Sequence, residues 1–223
     1  RDLHRLIRRQ RQMCIRDRII GVEFADPYPD FVSNHATHVA GILGGSGSLS
    51  NGKYRGVAPN VSIVSYFHGG PGIFYNTTQQ IESDYTTAYN NYNFDVVTNS
   101  LSVNVVLNNL DCSLLGDYEL IAKYIDSVAR GSLGKKITSI WAAGNERQLG
   151  APCGQYNTAG VPATAKNSIS VGATYNFIWD DNSVASFSSF GPTDDGRLKP
   201  DIVAPGDPCL LYTSPSPRDL STS

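Results

Sequence analysis

His35 and His38 stand three residues apart in Asn34-His35-Ala36-Thr37-His38-Val39-Ala40-Gly41-Ile42-Leu43-Gly44-Gly45, which reads as the start of a helix with small residues for close packing. At that spacing two imidazoles share one helical face, so a metal pair is the first chemistry to weigh. The zinc-protease arrangement needs a spacing of four with a Glu between, and it is absent here. Taken alone, two histidines satisfied within a core are the default. A second segment, Ile140-Trp141-Ala142-Ala143-Gly144-Asn145-Glu146, runs from a buried strand into small residues and then an amide that projects a donor from the strand's end. By itself Asn145 is a turn former in an Ala-Gly loop.

The elements that position these groups alternate in kind. Ile63 to Phe67, Val96 to Ser102, Ile137 to Ala143 and Ile169 to Ala173 read as short buried strands. Between them, Ile81, Tyr85, Ala88, Tyr89 and Tyr92 form one helical stripe, and Tyr118, Ile121, Ile125 and Val128 form another. Both stripes are core packing rather than cofactor contacts. The alternation predicts an α/β fold, a mostly parallel central sheet flanked by helices, in which functional residues collect where strands end and helices begin.

Two further stretches, Phe187-Ser188-Ser189-Phe190-Gly191-Pro192 and Lys199-Pro200-Asp201-Ile202-Val203-Ala204-Pro205-Gly206, complete a set of four. In this order the four resemble the subtilisin-like serine proteases, the subtilase family, over about Asp30 to Gly206, and Arg55-Gly56-Val57-Ala58-Pro59-Asn60 adds to the likeness. The resemblance implies that His35 is the general base of a Ser-His-Asp triad and Asn145 the side-chain donor of the oxyanion hole. His38 then has a packing role. Asn99-Ser100-Leu101-Ser102 resembles the strand on which an extended peptide pairs, so Ser100, Leu101 and Ser102 form one wall of the pocket for the side chain before the cut. Ala142, Ala143 and Gly144 resemble the opposite wall. Small residues on both walls are expected to leave room.

Departures from the family pattern are concentrated in the triad. The family usually has Gly where Ala36 stands and often where Ser102 stands; Ala36 is tolerable in a helix and costly at positive φ. An Asp followed by Ser or Thr and then Gly is matched neither by Asp26 before Pro27 nor by Asp30 before Phe31; Gly21-Val22-Glu23 reads as the sequel of that motif, with Ile19 and Ile20 in its place. No Gly-Thr-Ser followed by small residues and Pro occurs, and Thr213-Ser214-Pro215 lies only seven residues beyond Gly206. Since the family's triad runs Asp, His, Ser along the chain, the first and last members are the ones not found, the pattern expected of truncation.

The 223 residues carry a formal charge of -2, but Arg1 to Arg18 holds seven Arg against Asp2 and Asp17, leaving -7 for Ile19 to Pro208. An acidic body argues against nucleic-acid binding. No apolar run reaches the roughly 18 residues of a membrane span. The run Met13 to Arg18 and the run Cys209 to Asp219 resemble translated sequencing-adaptor read-through. The expected division is therefore an artefactual 1–18, a partial catalytic domain over 19–208 and an artefactual 209–223. Of the four cysteines, Cys112 and Cys153 lie in the body among loop formers, either as one disulfide or as two unrelated thiols.

The expectation is a fragment of a secreted or cell-surface serine endopeptidase, monomeric, acting on a peptide or protein, needing no cofactor, and inert as written. The alternatives are a pseudoprotease that binds peptide or a partner in the same cleft, and, more remotely, a metal hydrolase using His35, His38 and a carboxylate. Calcium is frequent in the family, but Asp180-Asp181-Asn182 and Asp194-Asp195 lack ligand spacing and read as solvated turns, so no metal is assigned. Asn60-Val61-Ser62 and Asn76-Thr77-Thr78 fit the glycosylation acceptor. Long reads that run uninterrupted through both terminal runs would refute their adaptor origin.

Overall fold

The computed structural model describes residues 22–24, 34–66, 78–105, 108–147, 152–175 and 183–207. Strands are β1 (Val22–Phe24), β2 (Ile63–Ser65), β3 (Val96–Asn99), β4 (Thr138–Ala142), β5 (Ile169–Tyr175) and β6 (Ile202–Asp207). Helices are α1 (Asn34–Gly44), α2 (Thr78–Tyr92) and α3 (Leu120–Arg130). Both adaptor-like runs, Asp26, Asp30, Asn76 and Asp180-Asp181-Asn182 lie outside the described residues, as does Thr213-Ser214-Pro215. Among the described residues no helix is long and apolar enough to cross a membrane. The chain falls into two compact units, each with its own sheet.

In the first unit β1 pairs parallel with β2, Val22 opposite Ile63. The last carbonyls of a helix have no partner within it, and at α1 the Arg55 to Pro59 segment supplies them. Val57 N–H donates to Ile42 O at 3.0 Å, Ala58 N–H to Leu43 O at 2.7 Å, and Gly56 N–H to Gly45 O at 2.7 Å. A Cβ on Gly56 would lie 2.5 Å from Gly45 N and 2.9 Å from Gly41 O, so only glycine lets the chain approach this closely. Ala36 sits inside α1, where its methyl group meets no backbone strain.

In the second unit the sheet order is β3-β4-β5-β6, all parallel. Trp141 of β4 is fully buried and packs with Ile81 and Tyr85 of α2 and Ala122, Ile125 and Val128 of α3. Its indole N–H needs a partner in that apolar setting, and Ser139 Oγ, two residues back on the same face, accepts it at 2.7 Å. The helical stripes therefore serve as packing, with one correction. Tyr118 also packs against this cluster, but it precedes α3, which begins at Leu120, and is tied to that helix by a side-chain hydrogen bond.

That bond ends on Asp126, a carboxylate only 2% exposed. Its Oδ2 accepts from Tyr118 OH at 2.6 Å and Lys166 N–H at 3.1 Å, and its Oδ1 accepts from Asn167 N–H at 2.6 Å. Burial works to raise the carboxyl's pKa, but the hydrogen bonds from Tyr118, Asn167 and Lys166 together outweigh it and hold the group below the usual carboxylate range. On the other side, burial first and the carboxylate second push Tyr118 up to about 12, so it remains a donor. Because the folded-state pKa of Asp126 is depressed, its stabilisation is fully present above the unfolded value of about 3.9 and is lost as pH falls through the folded value. Asp126→Asn should cost about 1–3 kcal/mol at pH 7 and should shrink the loss of stability between pH 7 and pH 3 in urea unfolding. An equal loss in both proteins would contradict this role.

Candidate active site

The loop beyond β4 is held by a second segment of chain. Ala143 N–H donates to Val171 O of β5 at 2.9 Å, extending the ladder by one residue. Gly144 then turns at φ +110, a backbone conformation that disfavours side chains. Its carbonyl accepts from Ser189 N–H at 3.0 Å, Ser189 Oγ accepts from Glu146 N–H at 2.9 Å, and Arg147 N–H reaches Phe187 O at 3.3 Å. Ser189 and Glu146 are 1% and 3% exposed, whereas Asn145 between these anchors is exposed. The result is an amide donor that faces outward on a backbone fixed on both sides. Ser188 does the same work for β5, its Oγ accepting from Ala173 N–H at 2.9 Å. Serines 188 and 189 are structural braces in this sense, a role that the sequence, where they stand between Phe187 and Phe190, does not signal.

The two segments expected to line the cleft meet a common third segment. β3 ends at Asn99, whose Nδ2 donates to Ile140 O at 3.4 Å. Beyond it Ser100 is exposed, Leu101 packs against the core cluster and Ser102 is half-buried. Val103 N–H donates to Val161 O at 3.2 Å and Gly160 N–H to Ala143 O at 3.2 Å, so Gly160-Val161 joins both walls. Of the opposite wall, Ala143 is buried, and Ala142 and Gly144 are half-buried. The Ser102 hydroxyl lies beside Gly144. A Cβ on Gly144 would lie 2.9 Å from Ser102 Oγ.

His35 occupies the first turn of α1 in the other unit, exposed, with His38 one turn on and half-buried. Among the described residues no group of three or more His, Cys, Asp and Glu is placed to hold a metal ion. Asp195 is instead engaged within its own turn: hydrogen bonds from Arg197 and then Thr193 hold its carboxyl well below the usual range. Cys112 and Cys153 form a disulfide, Cα to Cα 5.2 Å, which ties the short 3₁₀ turn Cys112–Leu114 to the chain that follows Asn145. Closing a loop of 41 residues is worth on the order of 4 kcal/mol in the chain-entropy account. Asn60 is exposed in the turn before β2.

Residues 7–222 match the subtilase family, and the chain belongs to that family. It is similar to the serine protease AprX of Bacillus subtilis (strain 168), 33% identical over 216 residues, covering 89% of this chain and 44% of that protein. Alkaline protease 1 of Aspergillus clavatus is 30% identical over 178 residues, covering 79% of this chain and 35% of its own length. The chain thus spans less than half the length of either relative. Among solved structures, the psychrophilic protease S41 superposes with a TM-score of 0.55 at 25% identity, over 83% of this chain and 60% of that one. Sphericase shares the fold, with a TM-score of 0.53 at 22% identity over the same shares.

Ser189→Ala removes the acceptor of a buried N–H and should destabilise the second unit by about 1–3 kcal/mol. Amide exchange at Glu146 should accelerate with it. Unchanged protection at Glu146 would show that the hydroxyl does not hold this loop.

Proposed function

We propose that the protein to which this chain belongs is a secreted serine endopeptidase that cleaves peptide bonds through a seryl acyl-enzyme. The observation that carries the reading is the exposed Asn145 on its braced turn, an amide directed outward with its backbone already ordered. Such a donor adds most where negative charge appears only in the transition state. In the proposed step a serine hydroxyl attacks the peptide carbonyl while the His35 imidazole takes its proton. The carbonyl oxygen becomes an oxyanion that accepts from Asn145 Nδ2. The C–N bond then breaks, and His35 returns the proton to the leaving amine. Water releases the acyl group by the same steps in reverse order.

Neither the family's Asp motif nor its Gly-Thr-Ser motif stands in the sequence, so the chain as written is proposed to be inert. The same absence supports the second reading, a pseudoprotease that holds peptide on Ser100 to Ser102 without cutting it. No cofactor is invoked, structural calcium is left unassigned, and the protein is taken to act as a monomer. The Cys112–Cys153 disulfide supports an oxidising compartment.

The product of the intact gene should react with a fluorophosphonate probe at a serine beyond Gly206, and His35→Ala should slow that labelling by about 10²–10⁴-fold. Absence of labelling, or labelling indifferent to His35, would count against catalysis.

A further inference from the structure

Among the described residues, Asn51, Asn93, Asn109 and Asn157 adopt left-handed backbone, with φ from +49 to +56. Asparagine enters that region more readily than most residues, so conformation accounts for all four. Asn60 is different. It occupies the third position of the tight turn Ala58-Pro59-Asn60-Val61, which Val61 N–H closes by donating to Ala58 O at 3.0 Å, and its φ lies outside the left-handed region. Pro59, at the second position, presets that turn. An asparagine in a turn commonly bonds its side chain to backbone two residues on. Here no hydrogen bond engages the Asn60 amide or the Ser62 hydroxyl, and both residues are exposed. The turn therefore makes no use of a carboxamide at position 60. Its backbone is nonetheless fixed on both sides, by Val57 and Ala58 N–H on the last turn of α1 and by Ile63, which opens β2 opposite Val22.

We propose that Asn60 is a site of N-linked glycosylation, its carboxamide nitrogen accepting an oligosaccharide from a polyisoprenyl-diphosphate donor. In the transfer, Asn60 Nδ2 forms a bond to the anomeric carbon of the first sugar as that carbon's bond to the diphosphate oxygen breaks. The polyisoprenyl diphosphate leaves with the electron pair, and the amide gives one proton to a base of the transferase. Ser62 supplies the hydroxyl that the acceptor motif requires two residues on, and Val61 between them is not proline. The motif is short, and the fold adds two things to it: both of its polar groups face solvent, and the backbone has no competing use for either. A bulky, solubilising group at this turn displaces no packing, since Asn60 contributes none to the core. The Cys112–Cys153 disulfide fits passage through the oxidising compartment in which such transfer takes place. The site lies outside the candidate catalytic residues and needs neither His35 nor Asn145; it draws on the secretion reading only for access to the sugar donor.

The test expresses the intact gene in a eukaryotic secretory host and maps the secreted protein by peptide mass spectrometry, before and after treatment with peptide N-glycosidase F. The peptide that holds Asn60 should carry a glycan, and the glycosidase should leave an aspartate in its place. Asn60→Gln and Ser62→Ala should each abolish the modification at that position, whereas Ser62→Thr, which keeps the hydroxyl, should retain it. Because the turn does not use the amide, Asn60→Gln should be secreted in equal yield. Site-resolved mapping keeps this position apart from Asn76-Thr77-Thr78. A secreted protein whose Asn60 is unmodified overturns the proposal. A product retained inside the cell defeats the secretion reading instead, and a cell-free reaction then decides for Asn60. In it the folded 223-residue chain is offered to a single-subunit oligosaccharyltransferase with a dolichyl-diphosphate oligosaccharide. Transfer to Asn60 that Ser62→Ala abolishes upholds the site; no transfer, or transfer indifferent to Ser62→Ala, overturns it.

Discussion

Gly144 is the point at which three segments of chain compete for the same volume, and the arrangement of the second unit follows from how that competition is settled. At the carboxyl end of a parallel strand the ladder stops and the backbone still carries donors and acceptors that must find partners. After Ala143 they find them in the Phe187 to Phe190 segment and in Gly160. The serine side chains that these segments bring in crowd Gly144, where a Cβ would lie 2.9 Å from Ser102 Oγ and 3.1 Å from Ser189 Oγ and φ is +110. Two buried hydroxyls, Ser188 and Ser189, accept from backbone N–H groups there, of Ala173 and Glu146. Asn145 inherits an ordered backbone on both sides while its own side chain stays exposed. Only the backbone that carries the amide is held in advance; the side chain itself is at the surface.

The other unit solves a related problem at a helix. α1 contains Gly41 and Gly44 and the β-branched Thr37, Val39 and Ile42, poor material for a helix on propensity alone. It is held by tertiary contacts instead. The Gly56-Val57-Ala58 backbone lies against its last turn and supplies the N–H groups that its carbonyls need. The conformation of Ala36 is then unremarkable, and the position that the family fills with Gly needs no positive φ here. The same economy of small residues that brings backbones together at Gly56 does so at Gly160, and in both places specificity of packing comes from what is missing from the side chain.

Much of this was legible in the residues. The four apolar runs read as strands contain strands, three of them shorter than read and β5 running on to Tyr175, and the stripes at Ile81, Tyr85 and Ala88 and at Ile125 and Val128 face the core. Where the reading fell short, a competing rule applied. β6 contains Pro205 and Gly206, residues that argue against a strand. It is the edge of the sheet, where the missing N–H of Pro205 is tolerated and the register slips between Thr174 and Tyr175. Val22–Phe24 is too short for any periodicity to show. Tyr118 lies at helical spacing from Ile121 and Ile125, yet it is fixed to Asp126 by a hydrogen bond that no pattern encodes. The disulfide stood open between two readings because two loop cysteines carry no information on distance. The glycines were read as turns, and what a Cβ would meet there is a property of the folded chain only.

The account's central claim is that Asn145 supplies its donor to the transition state and not to the bound peptide. The most direct measurement is the steady-state kinetics of Asn145→Ala in the product of the intact gene, with kcat and KM determined separately. The predicted result is a fall in kcat of about 10²–10³-fold, a family value rather than one read from this chain, with KM changed little. A kcat that stays at the level of the unaltered protein, whatever happens to KM, would contradict it.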